Sequence, residues 1–319
     1  MKNQKDRSLP AFSEEPREQL RGVLATAGTF IFWGIMPIYW HAIASVSPLE
    51  ILGHRIVWSV VFLGVLLAFQ NRWKEVTASL GSGKTLAFLL ASSATIACNW
   101  LLYIWAVNSG HVLDASLGYF INPLLNALLG ILFLRERLRK LQILALALAG
   151  TGVLYQVLLH GSLPLIALGI GGTFSLYGLI RKKAEIRPLP GLFVETSLLF
   201  LPALAFLGYC SFSGTLDFAH HNLRLDLLLL GCGAVTSIPL MTFAYGAKRL
   251  RLTTVGILQY LSPTLSFLLG LFFFGESMKA GDAVTFCLIW GALALYSSET
   301  LFYARNTGRS SPLVQKENS

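Results

Sequence analysis

Charge is what this sequence has least of. Asp, Glu, Lys and Arg make up 13% of its 319 residues, while 54% are hydrophobic. So few charges cannot solvate a soluble domain of this size, which excludes a water-soluble globule. Cysteine is scarce too, and Cys98, Cys210, Cys232 and Cys287 lack CxxC spacing. They read as small buried side chains within apolar runs. The six histidines form no HExxH spacing, and His220 and His221 fall in the longest outer loop, so a metal centre is not expected. No Gly-x-Ser-x-Gly run places a serine nucleophile. The stretch 81-GSGKT-85 has Ala78 where a phosphate-binding loop needs its leading glycine, and no strand precedes it. Neither a cofactor nor an enzymatic role is expected.

What fills the chain instead is apolar runs long enough to cross a hydrocarbon core, about 20 residues each. Ten are read, at about 22–45, 49–70, 84–107, 111–133, 139–159, 162–180, 189–210, 226–247, 252–274 and 281–302. Short connections leave no room for a soluble domain. The expected class is an all-α integral membrane protein with ten transmembrane helices. Lys and Arg crowd alternate connections: 72-RWK-74, Lys84, 135-RERLRK-140, 181-RKKAEIR-187 and 248-KRLR-251. The opposite loops carry only Arg224 and Lys279, and Arg55 lies inside the second run. That bias marks the basic face, with both termini, as cytoplasmic. The sequence pI near 9.5 follows from topology and calls for no nucleic acid. The first twenty residues are polar, unlike a signal peptide; they and 306-NTGRSSPLVQKENS-319 are expected to be disordered.

The chain is also written twice. The stretch 113-LDASLGYFINPLLNALLGILFLRERL-138 returns as 252-LTTVGILQYLSPTLSFLLGLFFFGESM-278, aligning Pro123 with Pro263, Gly130 with Gly270 and Glu136 with Glu276. Five spans separate the copies, so one runs inward where the other runs outward. The expected plan is tail 1–21, repeat 22–159, inverted repeat 162–302 and tail 303–319. Inverted repeats suit a transporter, because one backbone can then open to either side.

The five-plus-five plan, with a Pro-containing helix ending in Glu in each half, resembles the EamA-type drug/metabolite transporter superfamily. Within it, 54-HRIVWS-59, 99-NWLLYIWAVN-108 and 115-ASLGYFINPL-124 resemble the RarD-type permeases of bacterial inner membranes. The likeness covers about residues 20–302 and implies transport of a small organic molecule, with a link to chloramphenicol sensitivity. It also suggests a peripheral or homodimer-contact role for the fifth and tenth spans. One departure stands at the end of the first copy, where 135-RERL-138 replaces the 275-GESM-278 pattern.

Candidate site residues follow from spacing. Ser116, Tyr119, Asn122 and Asn126 share one helix face, and their offset mates are Gly256, Gln259, Ser262 and Ser266. Such stripes either line a substrate cavity or join helices. Asn99 and Tyr103, one turn apart, extend the same wall, and Trp33, Trp58, Trp105 and Tyr245 offer aromatic surface. Pro123 and Pro263 each remove one backbone bond and free the carbonyls near Tyr119 and Gln259. Arg55 and Glu195 occupy equivalent positions in spans two and seven, each about 9 Å inside its helix. They sit toward opposite faces, so they are not expected to pair, and gating or proton coupling is the alternative to snorkelling. His54 and Glu50, four residues apart, are placed to bond each other at the outer mouth. Asp114 reads as a helix cap, and Glu136 as part of an ion network with Arg135, Arg137 and Arg139. The expected partners are a small-molecule substrate, lipid and a possible second copy.

Overall fold

The computed structural model describes residues 16–109, 111–160, 165–219, 223–273 and 280–309. His220, His221, Glu276 and Lys279 lie outside the described residues, as do the side chains of Asp114 and Ser116. The first half holds α1 (Pro16–Ala42), α2 (Pro48–Phe69), α3 (Trp73–Gly81), α4 (Gly83–Asn108), α5 (Val112–Leu134) and α6 (Lys140–His160). The second holds α7 (Leu165–Lys183), α8 (Pro188–Phe212), α9 (Leu223–Arg249), α10 (Leu252–Gln259), α11 (Leu261–Phe272) and α12 (Ala280–Arg309). No strand occurs among the described residues.

Helix starts are written into the sequence. Ser47 accepts the Glu50 amide at the head of α2, and Pro48 occupies its first turn, where a missing N–H costs nothing. Pro188, 140 residues on, likewise sits in the first turn of α8, there with no side-chain cap before it. Among the described residues nine stretches are long and apolar enough to cross a membrane, α10 and α11 together making one. The shortfall from ten falls at α7. Its middle is rich in glycine and hydroxyl groups, and its last turn carries Arg181, Lys182 and Lys183. Because α7 is packed against α4, α5 and α9, it needs less apolar surface than a lipid-facing helix.

Two other expectations are corrected. Helix reaches into both tails, to Pro16 and Arg309, and Glu18 pins the first of them through Arg21 (2.6 Å) and Arg249 (2.8 Å). Cys210 and Cys232 are buried, but Cys98 and Cys287 are exposed, as a small weakly polar group can be against lipid. The basic connection 72–83 forms α3, which rests on α4 and α8 with Val76 and Ser79 inward. Glu75 holds it there by bonding Arg72 (2.9 Å) and Arg187 (3.2 Å). The Arg72 guanidinium keeps that carboxyl below its usual range.

The two halves are antiparallel partners. Along α2 and α8, Gly53 lies against Leu207 and Gly64 against Phe193. Along α5 and α10, Gly130 meets Leu252 and Gly256 meets Pro123, while the Tyr260 hydroxyl donates to the Phe120 carbonyl at 3.2 Å. Along α6 and α12, Thr285 donates to Gln156 (3.0 Å), and Gly291 lies against Leu148. In every pair the numbers rise on one helix as they fall on its mate. Each of these six helices therefore crosses its own repeat equivalent near mid-length, which is the signature of a two-fold axis across the bundle. Off-axis contacts obey the same exchange: α1 packs on α9 as α7 packs on α4.

The prolines behave differently. Pro263 accompanies a break at Tyr260 that splits α10 from α11, whereas α5 runs unbroken through Pro123. The departure 135-RERL-138 has a backbone consequence. Arg135 ends α5 in the left-handed region, φ 54° and ψ 37°, where a side chain crowds its own carbonyl. The second copy has Gly275 at that position. Arg135→Gly is expected to stabilise the protein by about 1 kcal/mol, read as a higher melting temperature in detergent. A lower one would mean that the arginine side chain outweighs the strain.

Candidate functional site

Two clusters occupy equivalent places in the halves, and they are built oppositely. At the basic end of α7 and α8, Arg181 and Glu195 are both fully buried and meet at 3.1 Å. The Glu195 carboxylate also accepts from Ser92 and from Tyr177 (3.5 Å), and its carbonyl accepts from Ser93 at 3.0 Å. Arg181 donates onward to the Pro188 carbonyl at 3.3 Å. Each charge here has its opposite in contact, although the Arg181 Nε–H is buried without a hydrogen-bond partner. Above it Phe30, Trp33, Phe174, Tyr177 and Phe243 interlock with ring centroids 5.4–6.2 Å apart. These rings form one buried aromatic cluster that joins α1, α7 and α9.

Arg55, at the position equivalent to Glu195, has no such answer. Its guanidinium carbon lies 5.2 Å from the Trp40 ring and 5.0 Å from the Trp100 ring, and Nε donates to Thr236 at 3.1 Å. Among the described residues no carboxylate reaches it. The Tyr103 and Tyr119 phenols lie within its electrostatic reach. Their rings meet edge to face at 6.1 Å, yet they stay 37% and 45% exposed. The cage is thus aromatic, singly cationic and open on its tyrosine side.

The rest of the polar stripe is packed. Asn99 donates to the Ile170 carbonyl (2.8 Å) and Thr173 (3.0 Å), and Asn122 to the Gly171 carbonyl (2.8 Å). The Asn126 amide gives one hydrogen to Asn122 (3.0 Å) and the other to Gln259 (2.8 Å), all three side chains being buried. Ser266 donates to the Gly34 carbonyl at 3.1 Å, and the Ser262 carbonyl lies against Gly34. Tyr245 lies far from the cage, under the Arg249 guanidinium at 3.4 Å. His54 is buried, taking the Trp58 indole N–H on Nδ1 (3.1 Å) with Nε2 3.6 Å from Glu50. Glu50 itself accepts the Asp217 and Phe218 amides at 2.9 and 3.3 Å, fixing the α8–α9 loop.

Glu136 departs from its expected arginine network. It caps α10 from outside, accepting the Leu252 amide (2.5 Å), the Thr253 amide (3.0 Å) and the Thr253 hydroxyl (2.6 Å). A carboxylate on unsatisfied amides at a helix start gains both hydrogen bonds and the helix dipole. Arg181, Trp40, Trp100 and Thr236 were not candidates by spacing. Arg181 stands in a basic run that reads as a surface loop, and the signal that points to it is Glu195, a buried acid needing a cation nearby in the preceding helix.

The profile of the EamA-like transporter family matches residues 20–158 and again residues 162–298. The chain belongs to the EamA-like transporter family. Protein RarD of Salmonella typhi is 44% identical over 91% of this EamA chain and 99% of its own. Uncharacterized transporter YojE of Bacillus subtilis (strain 168) is 43% identical over 90% and 97%. A solved crystal structure shares the EamA fold seen here, with a TM-score of 0.65 at 16% identity over 87% of this chain and 97% of that one. This EamA chain is a multi-pass membrane transporter, and the names of its relatives point to transport and not to enzymes.

Proposed function

We propose that the protein is a secondary permease of the bacterial cytoplasmic membrane, with both termini cytoplasmic, moving a small organic molecule by alternating access. The observation that carries this reading is the open cage of Arg55, Trp40, Trp100, Tyr103 and Tyr119, set apart from the buried aromatic cluster. Ionisable and phenolic groups inside a span are costly unless they face a partner or an aqueous path. On this reading the cage is the outward-facing opening of the path. Exchanging the halves' arrangements would open the aromatic cluster and close the cage, since Phe243 and Tyr103 are repeat equivalents. Glu195 and His54 would act in gating or proton coupling, and a substrate or ion gradient supplies the energy. Lipid, or a second copy, covers the apolar outer faces of α6 and α12. Nucleic acid has no part in the reading. Chloramphenicol handling, implied by the RarD likeness, is one substrate to try.

The test pairs binding with flux. Purified protein is screened by melting shift against amino acids, nucleosides, sugars, aromatic acids and chloramphenicol, and each compound that stabilises is followed into proteoliposomes. A ligand at 100 times its Kd adds about 2.7 kcal/mol to stability, which such a screen resolves. Tyr103→Leu and Tyr119→Leu are expected to cut counterflow at least about tenfold, equivalent to losing about 1.4 kcal/mol of binding, while melting stays near wild type. Full counterflow in both variants would remove the cage from the pathway. Binding without flux would favour a non-transporting interaction protein.

A further inference from the structure

We infer that the ligand class of the cage is a monoanionic organic acid, a carboxylate on a flat apolar body; this rests on the cage being the transport site. Arg55 is the observation that demands it. A guanidinium carries five N–H donors in a fixed fork, and here a single one, on Nε, is used, by Thr236. Neither Nη nitrogen has a partner among the described residues, although the side chain sits inside a span, where an unanswered cation is costly. Its counterpart Glu195 shows what a structural charge looks like in this bundle: an arginine, a serine and a tyrosine all turned onto it. Arg55 instead has rings on two sides and its fork left over.

The fork matches a carboxylate, which guanidinium binds through two parallel hydrogen bonds. One cation over the two tryptophans selects one negative charge, and a phosphate dianion would bring a second charge with nothing to answer it. Trp40, Trp100, Tyr103 and Tyr119 then supply the apolar and aromatic surface that the rest of the ligand covers. Snorkelling is the competing account of Arg55. It predicts a guanidinium carried toward the interface, not one clasped between two tryptophans and bonded to a threonine on another helix.

The test uses acid–amide pairs that differ only in charge: indole-3-acetate against indole-3-acetamide, and phenylacetate against phenylacetamide. Affinities come from quenching of tryptophan fluorescence on the full-length protein in detergent. Wild type is expected to bind each acid roughly 10- to 100-fold more tightly than its amide, the range of one charge-assisted contact. Arg55→Gln should erase that preference, and Arg55→Lys should recover only part of it, having charge without the fork. Trp100→Leu should weaken acid and amide alike, which keeps the proposal open to refutation if the arginine variants fail to fold. Equal affinity for acid and amide in wild type, or no binding of either acid, would overturn it. So would an acid preference that survives in Arg55→Gln. Acid binding without counterflow would remove the permease reading and leave the ligand class standing. Counterflow of amides and acids alike would do the reverse.

Discussion

Arg181→Met is expected to destabilise the protein by about 3–5 kcal/mol, because it strands the buried Glu195 carboxylate without its cation. Ser92 and Tyr177 would still donate to the carboxylate, but they are neutral and cannot replace the cation. The double variant Arg181→Met with Glu195→Leu should recover most of the loss. Removing both members of a buried pair also removes the desolvation that each imposes. Thermal unfolding in detergent reads both values. A single variant that melts like wild type would mean that the pair is hydrated, and that the basic end of the bundle is not sealed. The contact also matters for the transport cycle. Arg181 and Glu195 belong to the same half, whereas Ser92 and Ser93 come from α4 in the other. Relative movement of the halves would break the serine contacts while the ion pair travels intact.

What the sequence reveals here depends on whether the information is local, periodic or three-dimensional. The offset of 140 residues is periodic, and it foretells the antiparallel crossings of α2 with α8 and α5 with α10 without any knowledge of packing. Helix starts at Pro48 and Pro188 are local and equally plain. The polar stripe on α5 is a different case. Spacing puts Tyr119, Asn122 and Asn126 on one side of the helix, but a side 100° wide can meet a cavity at one level and a neighbouring helix at the next. Tyr119 is 45% exposed near Arg55, while one turn on Asn122 is buried against α7 and Asn126 against α10. Nothing in a one-dimensional pattern separates those levels. Arg181 was hidden for a related reason: it precedes two lysines at a helix end, so its composition is that of a surface while its position is that of a core. Glu136 was read against its chain neighbours, and its partners turned out to be 116 and 117 residues away.

Asn126→Leu is expected to cost about 2–5 kcal/mol, and this substitution separates a joint from a cavity wall. The Asn126 amide spends its two hydrogens on the Asn122 and Gln259 oxygens, so an apolar replacement leaves two buried acceptors bare. Each such acceptor costs about 1–3 kcal/mol. Steric relief is not available either, since Gly256 on α10 already touches the Pro123 carbonyl and the Asn126 Cβ. Pairing Asn126→Leu with Gln259→Leu should restore part of the stability, because one of the bare acceptors leaves with its partner. Measured beside Tyr119→Leu, the two outcomes should cross. The tyrosine variant should keep its melting temperature and lose counterflow, while the asparagine variant should lose melting temperature and keep counterflow per folded molecule. An Asn126→Leu protein that melts normally and fails to transport would move the substrate path inward along α5, past the cage to the two-fold axis. The crossing of α5 and α10 would then be part of the site and not the hinge that carries it.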